Sequence, residues 1–157
     1  EHSEPPGDQI LTGLGSVGSG AVHEATLYEA VGGTPFFERL VDLFYEGVAG
    51  DQVLAPLYPE YPDFTGARRR LTLFLQQYWG GPTTYADERG HPRLRMRHFP
   101  FRVGALERDR WLVHMLAAVE QVCDGLPDGV AIAQQMVDYF VPAAEHLRND
   151  APLGLVP

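Results

Sequence analysis

An all-α domain is the fold class this sequence predicts, and three observations predict it. Apolar residues recur at helical spacing from residue 24 onward, no alternating apolar and polar run is long enough for a sheet, and glycine and proline clusters punctuate the periodic stretches. At 157 residues, 45% of them hydrophobic and 21% charged, the chain has the length and composition of one globular domain with a single core.

Residues 1–23, rich in Gly, Ser and Pro, read as a flexible leader, residues 24–150 as the domain, and residues 151–157 as a short tail. The leader has neither a basic start nor a continuous apolar stretch, so no secretory signal is expected there and a cytoplasmic location is the default. No window approaches the roughly 18 consecutive apolar residues of a spanning helix, so no membrane insertion is expected.

Leu27, Tyr28 and Val31 mark a short first helix that Gly32-Gly33 ends, glycine supplying the left-handed geometry of a helix terminus. Thr34 as N-cap and Pro35 as first helical residue open a second helix. Its apolar face is Phe36, Phe37, Leu40, Val41, Phe44 and Val48, with Tyr45 at the edge. Pro56, Pro59 and Pro62 make residues 55–64 an irregular connector, because each removes a donor and disfavours helix before it. Helical spacing resumes over residues 66–79 through Ala67, Leu71, Phe74, Leu75 and Tyr78, and Gly80-Gly81-Pro82 stops it.

Residues 81–105 show no clear period apart from a short helix around Leu94–His98. So long a loose stretch in a compact domain is expected to be functional or tied down by another part of the chain. Two longer helices follow. Residues 105–123 carry Leu112, Met115, Leu116, Val119 and Val122, and residues 129–147 carry Ala133, Met136, Val137, Phe140, Ala144 and Leu147. Pro142 lies inside the last helix, where a missing donor and a ring clash should bend it.

The formal charge is −9, which repels phosphate backbones and anionic lipid surfaces, so nucleic acid is not an expected partner. All 12 basic residues are arginine, and most fall between Arg68 and Arg110. Such a cluster suits a compact anion, while the plainer alternative is surface ion pairing with Glu88, Glu107 and Asp109.

The motifs of common hydrolases and kinases are absent: no phosphate-cradling loop with Lys, no Gly-x-Ser-x-Gly turn, no paired-His zinc helix. The single Cys123 rules out an intramolecular disulfide and a paired-thiolate zinc site, and its apolar helical surroundings make it a small core residue. His2 and His23 belong to the leader, His91 to a loop and His146 to a polar last turn. His114 on the long helix reads as a partly buried structural histidine. His98 differs, standing in RLRMRHFPF among arginines and aromatics. One imidazole cannot satisfy a bare zinc ion, but it can hold an iron whose four equatorial ligands come from a porphyrin, and arginines or tyrosines suit that group's carboxylates. A structural or solvated role for His98 stands as the alternative on composition alone.

The segments YEAVGG (28–33), FY (44–45), LYPE (57–60), FLQQYWGGPTTY (74–85), GHPRLRMRHFPF (90–101) and ERDRWL (107–112) resemble the truncated haemoglobins of group II, the O type. The resemblance runs from about Leu27 to Asn149, and GHPRLRMRH followed by ERDxW is its most specific part. It implies a shortened globin fold, a two-over-two helical sandwich around haem b (iron protoporphyrin IX), with a loop replacing much of the helix that carries the proximal ligand.

Carried over by resemblance, His98 is the proximal ligand to iron, and Tyr45, Tyr58 and Trp111 are the distal polar residues. Ala67 stands where many globins place a distal histidine, so phenol hydroxyls and the indole N–H must donate to the ligand instead. Leu71, Phe74 and Leu75 are expected to wall the cavity, with Phe101 and Val103 at the proximal edge and Arg97 and Tyr85 at the propionates. The alternative for Tyr45 and Trp111 is ordinary core packing.

The function implied is reversible binding of dioxygen, carbon monoxide, nitric oxide or other small ligands, in storage or transport. A peroxidase or nitric oxide dioxygenase served by a reductase is the catalytic alternative, and a cofactor-free helical interaction domain is the third reading.

Overall fold

A computed structural model describes residues 24–150; the expected leader and tail lie outside the described residues. Those residues form helices and connecting turns, with no strand among them. In chain order the helices are α1 (Leu27–Ala30), α2 (Thr34–Ala49), a 3-10 turn (Ala55–Leu57), α3 (Thr65–Tyr78), α4 (Thr84–Arg89), α5 (Leu94–His98), α6 (Ala105–Cys123) and α7 (Gly129–His146).

Thr26 starts α1 through a capping box: its hydroxyl accepts from the Glu29 N–H while the Glu29 carboxylate accepts from the Thr26 N–H. Gly32 and Gly33, with φ of 92° and 87°, turn the chain into α2. Here the expected cap is displaced. Thr34 is the first residue of α2 and Gly33 its cap, because the Thr34 hydroxyl is engaged elsewhere, donating to Gln76 Oε1 at 2.9 Å and bonding the Tyr28 hydroxyl at 2.8 Å.

The expected face of α2 is buried, with Phe37, Leu40, Val41, Phe44 and Val48 fully enclosed. Burying each such side chain contributes about 1.5–3 kcal/mol, so this face is a main anchor of the core. Truncating Leu40 to Ala would cost about 2–5 kcal/mol.

Helices α2 and α3 form one packed pair, α6 and α7 the other, and α2 crosses onto α6, which is a two-over-two sandwich. Aromatic rings stitch the layers, with Phe37 6.2 Å and Phe140 5.7 Å from Trp79 and Tyr78 4.1 Å from Tyr139 between centroids. Met115, Ala118, Val119, Val122 and Cys123 of α6 face Ile132, Met136, Tyr139 and Phe140 of α7 in the same core. Helix α7 runs through Pro142 four residues before its end, near enough to the terminus to leave most of the helix intact.

Residues 81–105 depart from their aperiodic reading by forming α4. Six residues make too few turns to generate a visible period, and Tyr85 is the one residue of α4 that is buried. The stretch is also tied down. Asn149, just beyond α7, donates from Nδ2 to the Phe101 carbonyl at 2.6 Å and accepts from the Val103 N–H at 2.8 Å, while Arg95 donates to the Arg148 carbonyl at 2.8 Å.

Candidate functional site

The two layers do not close on each other everywhere. Between α3, α5, α6 and α7 lies a cleft of about 460 Å³. That is the size of a small-molecule or cofactor site, and far too large for a packing defect. Most of its wall is apolar: Leu71, Phe74 and Leu75 from α3, Leu94 from α5, Phe101 and Val103 after it, and Phe140, Ala144 and Leu147 from α7. Every residue given a place at the site by the resemblance lines it, including Tyr45, Tyr58, Ala67, Tyr85, Arg97, His98 and Trp111, whereas His91, His114, Cys123 and His146 do not.

His98 ends the short helix α5, which Asn149 and Arg95 pin against the end of α7. The His98 Nδ1 bonds the Leu94 carbonyl, one turn back, at 2.7 Å. A carbonyl can only accept, so Nδ1 donates, and in the neutral form of the ring the lone pair lies on Nε2. This is the arrangement a neutral imidazole needs to bind a metal, its second nitrogen oriented by a hydrogen bond. Among the described residues no group of three or more His, Cys, Asp or Glu side chains could hold a metal ion by itself.

Tyr45, Tyr58 and Trp111 converge at one place on the wall. The Tyr45 and Tyr58 rings meet edge to face at 5.5 Å, and Trp111 packs on Phe44 at 5.2 Å and Phe140 at 5.8 Å. Burial raises the Tyr58 phenol, and the neighbouring Tyr45 and Trp111 side chains oppose the rise, leaving it pushed up to about 12. Burial likewise drives Tyr45 well above the ordinary phenol range, with Tyr58 adding to the rise and Arg70 and Arg68 opposing it. Both phenols are therefore neutral O–H donors near neutral pH. Ala67 is buried on the same wall and contributes only a methyl group.

The arginines divide into two sets. Arg69 pairs with Glu88 at 2.7 Å and Arg108 with Glu145 and Asp109, as a solvated surface would have it, whereas Glu107 caps α6 by accepting from the Gly104 N–H. Arg97 faces the cleft but is held by carbonyls, Nε donating to Pro92 at 2.6 Å and Nη2 to Arg89 at 2.9 Å. Tyr85 lies buried beside it, with the Arg89 guanidinium 5.9 Å from its ring centre.

Sequence reasoning missed Leu54, Leu57, Arg70, Leu94, Tyr139 and Phe140 as lining residues. Leu94, four residues before His98, and Arg70, one turn after Ala67, were recoverable from helical spacing. For Tyr139 and Phe140 the spacing shows burial but not which neighbour they bury against.

A two-over-two helical sandwich that opens an apolar cleft beside one imidazole is the arrangement of a globin. The comparisons agree. The family model for bacterial-like globins matches residues 26–144. The group 2 truncated haemoglobin YjbI of Bacillus subtilis is 44% identical over 95 residues, 60% of this chain and 70% of that protein. Among solved structures, a thermostable haemoglobin from Thermobifida fusca is 57% identical with a TM-score of 0.76, covering 82% of this chain and 100% of that one. The group II truncated haemoglobin of Bacillus anthracis is 35% identical with a TM-score of 0.72, covering 80% and 98%. The chain belongs to the bacterial-like globin family, among the group II truncated haemoglobins. Membership implies haem-based binding of small ligands, and the donor set fits: a lone-pair Nε2 for iron, apolar walls for the porphyrin, and polar donors for the ligand.

Proposed function

We propose that this chain is a haem b protein that reversibly binds dioxygen and other small diatomic ligands, carbon monoxide and nitric oxide among them. The observation that carries this reading is the His98 tautomer, with Nδ1 given to Leu94 and Nε2 available in a cleft shared with three distal donors. Haem, when bound, supplies an iron with one position open to a small ligand. His98 Nε2 binds the metal, and the Leu94 carbonyl holds the ring in register while increasing its basicity. The Trp111 indole and the Tyr45 and Tyr58 hydroxyls donate to a ligand that carries negative charge on its outer atom. The apolar wall from α3 and α7 excludes water and strengthens those bonds.

Leu71, Phe74, Leu75, Phe101 and Val103 flank the porphyrin in this reading, and Tyr85 and Arg97 approach its propionates. A cofactor-free interaction domain is disfavoured, because a cleft of about 460 Å³ with apolar walls forfeits packing that a bound group would restore. Peroxidase or nitric oxide dioxygenase chemistry would use the same donors together with a reductase, and steady-state turnover with a reductant separates it from storage or transport.

The test is the visible spectrum of the haem-loaded protein in its ferric, ferrous and carbonyl forms. A Soret band with an imidazole-type ferrous carbonyl spectrum is expected. No Soret band after haem addition would overturn the reading.

A further inference from the structure

Asp51 takes no part in the site described above, yet it is the one acidic residue in the buried core of the described region, its side chain 1% exposed. We propose that Asp51 is the positioning residue of the distal donors, one carboxylate oxygen holding the Tyr58 segment and the other holding the Trp111 helix. The inference rests on the reading of Tyr58 and Trp111 as ligand donors.

The first arm runs through Oδ1, which accepts from the Val53 N–H at 2.9 Å and the Leu54 N–H at 3.1 Å. The Asp51 carbonyl accepts from the Ala55 N–H at 2.9 Å, and the Ala55 carbonyl in turn accepts from the Tyr58 N–H at 3.2 Å. Oδ1 therefore fixes the start of the 3-10 turn, and backbone bonds from the Asp51 carbonyl carry that turn on to Tyr58. The second arm runs through Oδ2, which accepts from Arg110 Nε at 3.0 Å and His114 Nε2 at 2.7 Å. These residues bracket Trp111, one position before it and three after, so α6 is held on both sides of the indole.

A second feature shows that the junction is built for close approach. Gly47 lies within α2, where a Cβ would stand 2.4 Å from His114 Nδ1. Helix α2 forgoes a better helix former there so that the His114 ring can reach Asp51.

Core stability alone does not require this carboxylate, since buried ionic hubs are often matched by apolar residues of similar shape. What it adds is direction. The Tyr58 hydroxyl and the Trp111 indole line the same cleft, and hydrogen bonds to a ligand held there weaken steeply as alignment is lost. A hub bonded to both segments fixes that alignment.

The experiment uses the haem-loaded full chain with dioxygen as probe, displaced by excess carbon monoxide. Asp51→Asn is expected to speed dioxygen dissociation several-fold in the parent protein and to have almost no further effect when Tyr58→Phe and Trp111→Phe have already removed the two donors it positions. An equal fold-change in both backgrounds overturns the proposal. A second measurement does not involve ligand binding: hydrogen exchange of the Trp111 indole N–H in the ligand-free protein, assigned against Trp111→Phe. It should quicken in Asp51→Asn, and unchanged exchange overturns the proposal. If Asp51→Asn does not fold, the half-exposed Arg110→Met, which releases one bond to Oδ2, is held to the same two outcomes. A parent protein without a Soret band defeats the haem reading, whereas a normal Soret band with independent fold-changes defeats this inference alone.

Discussion

The His98 imidazole and the Leu94 carbonyl, four residues apart on a five-residue helix, bond at 2.7 Å through Nδ1. That contact makes Nδ1 the donor and, in the neutral ring, leaves the other nitrogen as the one able to accept a metal. The helix itself is too short to be stable alone, and it persists because Asn149 and Arg95 fasten the segment to the end of α7.

His98→Ala is expected to abolish the imidazole-bound ferrous spectrum and to weaken haem retention. Haem transfer to an acceptor apoprotein, followed by absorbance, measures the second effect. A variant that keeps an unaltered axial spectrum would remove His98 from its role.

Trp111→Phe preserves the packing on Phe44 and Phe140 but deletes the indole N–H. Losing a hydrogen bond to a charged acceptor costs about 1.5–3 kcal/mol, so dioxygen dissociation should speed by about tenfold or more. Stopped-flow displacement reads the rate, and an unchanged value would exclude the indole as a donor.

Tyr58 is pushed up to about 12 and Tyr45 also lies above the ordinary phenol range, and both donate only when protonated. The dissociation rate should therefore stay level up to about pH 10, where an ordinary phenol would already be half ionised. Because the folded value of Tyr58 exceeds the unfolded one, its contribution to stability is complete below about pH 10 and is lost as pH rises through the folded value. Alkaline unfolding of Tyr58→Phe should accordingly be shallower than that of the parent.

Burial acts to raise the Asp51 carboxyl, but hydrogen bonds from His114, Val53, Leu54 and Arg110 outweigh it and hold it below the usual range. The group's folded value is depressed, so its contribution is present above the unfolded value near pH 3.9 and is lost as pH falls through the folded one. Urea unfolding from pH 5 downward should show stability falling in the parent and a flatter curve in Asp51→Asn. Parallel curves would contradict this.

Gly47→Ala improves helix propensity by about 1 kcal/mol yet should destabilise the protein, because the new methyl group meets His114 at 2.4 Å. Overpacking of this kind costs about 1–3 kcal/mol. Thermal unfolding should show a lowered Tm that His114→Ala partly restores in the double variant.

The helical class, the buried face of α2, the ends of α3, α6 and α7, and the short helix that ends at His98 were legible in the sequence alone. Each is a local property: a period of about 3.6, a glycine or proline at a boundary, or a set of short motifs. Helix α4 was not legible because six residues cannot display a period, and Thr34 was misassigned as a cap because its hydroxyl serves a partner 42 positions away, Gln76.

The tertiary structure alone decided that Tyr45, Tyr58 and Trp111 line one cleft, and that one carboxylate at position 51 reaches the segments of the last two. These facts depend on distances between residues far apart in the chain. Periodicity shows that a side chain is buried, but the facing element determines what it touches, and that is settled only when α2, α6 and α7 pack together.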